Sequence, residues 1–151
     1  MDLFDDVVFD FLKQLEINKV EYLLVGGFAV NTYANPRATG DLDIWLKDTK
    51  ENRNRLINAF KGVGIDSLEP LHDIELIAGF TEVFLGKGFY IDLMTDLKKF
   101  KQIHFDDCFK QAVDYKINDI TIKVIHKNAL IEEKKSIGRY KDLDDVEHLE
   151  P

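Results

Sequence analysis

Residues Asp41 to Leu46 alternate without a break, with Asp41, Asp43 and Trp45 at one parity and Leu42, Ile44 and Leu46 at the other. Only an extended strand converts a period of two into two chemically different faces. A second constraint lies just upstream. Tyr22-Leu23-Leu24-Val25 is a short apolar run stopped by Gly26-Gly27, which reads as a buried strand. Residues 28–34 then fit a short helix closed by Pro36 and Arg37. A buried strand, a glycine pair, a helix and an alternating strand with two acids therefore follow one another within about 25 residues.

The remaining chain supplies more of both element types. Leu3, Phe4, Val7, Val8, Phe11, Leu12 and Leu15 form one helical stripe, with Asp2 as its expected N-cap. Residues 51–61 read as a helix with Gly62 and Gly64 as stop signals. FTEVFL and FYIDLM read as two strands of a hairpin around Gly86-Lys87-Gly88. Residues 100–113 are expected to be helical, Ile120 to Ile125 a strand, and the last 25 residues one or two helices broken near Gly138. Strands and helices interleave, so the expected class is α/β (α+β), a mixed sheet flanked by helices. A single domain over 1–151 is expected, with a core of about residues 20–125 and closing helices over 127–149.

Composition narrows the function. The 151 residues are 45% hydrophobic and 32% charged, a balance that excludes a disordered chain. With 20 Lys and Arg against 28 Asp and Glu the net charge is −8, which disfavours broad binding to a polyanion. The single cysteine, Cys108, excludes an internal disulfide and a cysteine zinc site, and reads as a small core residue on a helix. The acidic N-terminus does not read as a signal peptide, and no apolar run approaches the ~18 residues of a membrane span. The expected location is the cytoplasm.

The chemistry concentrates on three acids. On one strand face, Asp41 and Asp43 repel each other unless a cation or a proton lies between them, and carboxylate oxygens suit Mg²⁺. A solvated polar face is the competing reading. Asp92, set in the apolar run Phe89-Tyr90-Ile91-Asp92-Leu93-Met94, is costly without a cation and is a candidate third ligand or general base; a polar residue on an edge strand is the alternative. Gly26-Gly27 at the start of a helix would expose backbone N–H groups to a phosphate, or simply make a tight turn. Arg37 suits a phosphate or a surface acid. Tyr90 is assigned to the strand face opposite Asp92, with no role. Trp45 is read as core before base contact, and His72, His104, His126 and His148 lack metal-ligand spacing. Lys98, Lys99 and Lys101 are read as a solvated helix start.

These residues carry a resemblance. Leu24-Val25-Gly26-Gly27-Phe28-Ala29, then Arg37-Ala38-Thr39-Gly40-Asp41-Leu42-Asp43-Ile44, resembles the signature of the polymerase-β-like nucleotidyltransferase superfamily, with Asp92 in the position of the third acid. Lys134, Gly138, Arg139, Lys141, Asp142 and Asp145 resemble the closing helices of its small bacterial members, which include minimal nucleotidyltransferases and toxins of abortive-infection systems. The resemblance spans about residues 20–147. Gly27 stands where many members carry Ser, so one phosphate-binding hydroxyl is missing.

The resemblance implies a metal-dependent transfer of a nucleoside monophosphate from an NTP, ATP among the candidates, to an acceptor hydroxyl. Asp41, Asp43 and Asp92 would hold Mg²⁺ (Mn²⁺ is the alternative ion), and Asp92 would act as general base. Gly26, Gly27, Arg37, Thr39, Lys134 and Arg139 would contact the nucleotide. The acceptor would be a small molecule, a protein side chain or a tRNA end, recognised alone, through a partner protein, or by a second copy of the chain. The alternative is a non-catalytic antitoxin or regulatory module, whose partner-binding surface would be sought along Ile74 to Phe84.

Overall fold

The computed structural model describes residues 5–34, 41–68 and 80–150. The first helix, α1, spans Asp6–Ile17. Its N-cap is Asp5, whose carboxylate accepts from the Val7 amide at 3.1 Å. Leu3, Phe4 and the expected cap Asp2 lie outside the described residues. Val8, Phe11, Leu12 and Leu15 form its buried face.

Strand β1 spans Tyr22–Val25 and is buried at all four positions, which requires cover on both faces of the sheet. Helix α2 covers Gly26–Tyr33. It begins at the first glycine, two residues earlier than expected, so both glycines belong to its first turn. Strand β2 is Leu42–Leu46, and α3 is Lys50–Lys61, capped by Thr49. Strands β3 (Phe80–Gly86) and β4 (Phe89–Met94) form the expected hairpin. Lys87 and Gly88 both have positive φ, 52° and 80°, the signature of a type I′ turn.

Residues 100–113 depart from expectation. A 3₁₀ turn at Gln102–His104 leads into a short α4, Phe105–Lys110, and the chain is already a strand, β5, at Val113–Ile117. Asn118, at φ 53°, and Asp119 turn β5 back onto β6, Ile120–Val124. β5 is an edge strand with one buried residue of five, so apolar patterning carries little trace of it. Lys98 and Lys99 lie in the preceding loop, not on a helix, and their amides donate to Glu133 at 3.0 and 2.7 Å. Cys108 sits on α4, partly buried against the core. Helices α5 (Lys127–Ile137) and α6 (Tyr140–Leu149) close the chain, separated at Gly138, whose φ of 73° ends α5 in a left-handed cap.

The strands make one six-stranded mixed sheet in the order β3-β4-β2-β1-β6-β5. β2 with β4 and β1 with β6 are parallel, and the other pairs antiparallel. The helices form two groups. α1 packs on α3, with the Phe11 and Phe60 rings 4.7 Å apart, and α2 packs with α5 and α6. This is the expected α/β class. Trp45 is fully buried, its indole N–H donating to the Thr95 carbonyl at 2.7 Å, so its core reading holds. Among the described residues no helix is long and apolar enough to cross a membrane.

Candidate functional site

Sheet register assembles the site. Val25 pairs with Asp43, Asp43 with Asp92, and Asp92 with Glu82, so three carboxylates from β2, β4 and β3 form one row across adjacent strands. Side chains directly opposite in a sheet share a face with Cβ atoms about 4.5–5.5 Å apart, and like charges there repel. Asp41 precedes Asp43 by two residues and joins the same face. Carboxylate oxygens of Asp41, Glu82 and Asp92 all lie within 4.8 Å of one another. Asp92 Oδ1 is buried with no hydrogen-bond partner.

Glu82 went unnoticed in the sequence because its place depends on a bulge. The turn pairs Gly86 with Phe89, and a regular ladder from there would set Glu82 opposite Leu93, facing away from Asp92. The register shifts between Phe84 and Gly86, and Glu82 arrives beside Asp92. The same register places Tyr90 on the face of Asp92, since residues two apart on a strand share a face. Its assignment to the opposite face is corrected here.

The acids respond to one another. Burial pushes the Asp43 carboxyl up to about 7; the charge and hydrogen bond of Asp92 and the charge of Asp41 add to the rise, and Lys134 opposes it. Asp92 is also raised, by burial and then by Asp41, and a hydrogen bond from Asp43 counteracts this. Asp43, half-buried, thus donates to its half-buried neighbour Asp92, as expected where two carboxyls meet.

Gly26 sits against the row. Its φ is 67°, and a Cβ built on it would overlap Asp43 Oδ2. Glycine is required here both by backbone conformation and by the close approach of the carboxylate. No side chain caps α2, and its first turn, which begins against Asp43, holds no acid; the first N–H groups of a helix favour an anion.

Lys134 and Arg139 lie farther out. Lys134 is buried, with Nζ 3.2 Å from Asp142 and 3.0 Å from Asp145. Arg139 Nε and Nη2 donate to the two oxygens of Asp142 at 2.6 and 3.1 Å. The two cations lie close enough to Asp43 for Lys134 to lower the Asp43 pKa and for Asp43 to raise that of Arg139. Their closest partners are nonetheless Asp142 and Asp145. Arg37, Thr39, His72 and most of the Ile74–Phe84 stretch lie outside the described residues. His104, His126 and His148 occupy separate turns and caps: the first two accept from the Lys101 and Asn128 amides, and His148 lies beside Asp144.

The donor set fits a hard divalent cation. It is all oxygen, it holds an orphaned buried oxygen, and the neighbouring Asp43 carboxyl gives up its proton at about 7. No family model matches this chain, and no curated protein sequence matches it.

Proposed function

We propose that this chain is a metal-dependent nucleotidyltransferase, moving a nucleoside monophosphate from an NTP to an acceptor hydroxyl. The observation that carries this reading is the carboxylate row ending at Gly26. It sets a cation-seeking cluster beside the open N-terminus of a helix, an arrangement suited to a metal-bound phosphate. The order of motifs resembles the polymerase-β-like superfamily and supports the same reading.

Asp41, Asp43 and Asp92 would hold the ion, Asp41 and Asp92 through oxygens within 4.8 Å of each other and Asp43 through its register beside Asp92. A bound Mg²⁺ supplies charge neutralisation for the phosphoryl oxygens. The Gly26 and Gly27 amides bind phosphate, with Arg37 and Thr39 as further contacts. Asp92 accepts the acceptor's hydroxyl proton. The new bond joins the acceptor oxygen to the α-phosphorus, the α–β anhydride bond breaks, and pyrophosphate leaves.

Titration calorimetry of each NTP, with Mg²⁺ and with EDTA, tests this beside Asp43→Asn. Binding that requires Mg²⁺ and falls by about tenfold or more in the variant is expected. No NTP binding by the folded protein would remove the transferase reading and leave the non-catalytic module.

A further inference from the structure

Next to the row of acids, on the same sheet face, lies a row of rings. Phe84 pairs with Tyr90 across β3 and β4, two residues along each strand from the pair Glu82 and Asp92 and so one step along the same face. The ring centroids are 5.0 Å apart and the planes tilted by 52°. Phe84 is 54% exposed and Tyr90 37%, whereas Tyr22 and Trp45 of the neighbouring strands are buried. Two large rings held in water are unfavourable unless something covers them.

Charge selects what covers them. An aromatic face is the negative side of the ring quadrupole and attracts a cation within about 6 Å of its centroid. Glu82, exposed at one step's distance, adds a full negative charge, and Asp41 and Asp92 stand beside it. Among the described residues no ion pair occupies Glu82, Asp41 or Asp92, and Lys87 sits in the turn beyond the rings. The rings also lie at the β3–β4 end of the row, away from Gly26 and the phosphate position at the β1–β2 end. An entering hydroxyl must approach from the side remote from the leaving pyrophosphate.

We infer that Phe84, Tyr90 and Glu82 form the acceptor subsite, and that the acceptor is a hydroxyl-bearing ammonium compound. Its positive charge lies over the two rings and against Glu82, and its hydroxyl reaches toward Asp92. The acceptor role rests on the transferase reading; the cation subsite does not.

The test uses choline as the probe and 3,3-dimethylbutan-1-ol as its uncharged isostere. Each is titrated into the full chain and followed by the aromatic signals in NMR, with Tyr90→Leu identifying the Tyr90 ring. Choline is expected to bind about tenfold more tightly than the neutral alcohol. The Phe84→Leu/Tyr90→Leu pair and Glu82→Gln should each weaken choline by about fivefold, with folded spectra retained. Equal affinity for the two probes, no choline binding tighter than about 10 mM, or choline binding unaffected by the variants would overturn the subsite. An NTP titration of the wild-type protein separates the two ideas. If choline binds as expected and no NTP does, the cation subsite stands and the transferase role falls.

Discussion

Among the described residues two groups of carboxylates are opposites in how they are neutralised. On α5 and α6, Asp142 and Asp145 enclose Lys134, and Arg139 forks onto Asp142 from outside. On and beside β2, β3 and β4, Asp41, Asp43, Glu82 and Asp92 share one face, and no salt bridge among the described residues involves them. Titration follows the difference. Burial pushes Asp142 upward, but hydrogen bonds from Arg139 and Lys134 outweigh it and hold the carboxyl below its usual range. Burial and neighbouring acids push Asp43 up to about 7. An acid cluster with its cations built in ties two helices together. An acid cluster without them among the described residues keeps oxygen donors that could hold a metal ion.

The sharpest way to break this contrast is to remove the built-in cation. Lys134→Ala leaves two carboxylates, each at most 2% exposed, without their central charge. Breaking a buried pair on one side costs about 3–5 kcal/mol, and denaturant unfolding should show a loss of that order. A loss below about 1 kcal/mol would place Lys134 outside the structural cluster. Removing an acid from the sheet should act in the opposite direction.

Gly26→Ala comes next. A side chain at φ 67° costs about 1–2 kcal/mol on conformation alone, and here it must also displace the Asp43 carboxylate. The expected result is a drop in stability of at least that size, with NTP binding reduced together with it. An unchanged NTP affinity would show that the Gly26 contact with Asp43 is packing only.

How far this contrast could be read from the chain depends on the range of the interactions involved. The D-x-D strand and Asp92 are local patterns of period and composition, and each reached its expected strand to within a residue, whereas the glycine pair ends β1 as expected but lies inside α2. The Gly138 break is equally local, since a left-handed cap selects glycine. Glu82 was hidden because one bulged residue sets its register. Strand β5 was hidden because four of its five residues are not buried. Lys134 matched a motif, but its ion pairs with Asp142 and Asp145 depend on how α6 folds back on α5, which spacing does not encode.

Asp43→Asn tests the sheet cluster directly. With its folded-state value near 7 against an ordinary 3.8, Asp43 keeps a proton in the folded chain that the unfolded chain has released. Stability of the metal-free protein therefore falls as pH rises from about 4 to 7 and levels off above. Asn carries no charge to bury, so the variant should flatten this slope and gain about 1–2 kcal/mol at pH 8, after allowance for partial solvent screening. The same variant should lose the stabilisation that Mg²⁺ gives the wild type. Binding of Mg²⁺ must displace the proton below pH 7, so wild-type affinity should rise by up to about tenfold per unit toward 7 and then flatten. A flat profile from pH 5.5 to 8 would mean that Asp43 does not take part.

The smallest effect is expected at the boundary between the two clusters. Arg139 is 57% exposed although its partner Asp142 is fully buried, and it lies within electrostatic reach of Asp43. Lys134 remains to neutralise Asp142 when Arg139 is lost, so Arg139→Gln should cost no more than about 1 kcal/mol. What remains should be lost at low pH, because a lowered carboxyl contributes stability above about 3.8 that disappears as pH falls through its folded value. If the variant also weakens Mg²⁺-dependent NTP binding, Arg139 serves both clusters, leaving Asp142 for phosphate when nucleotide arrives. If only stability changes, the built-in cations belong wholly to the helices, and the sheet acids depend on what solution supplies.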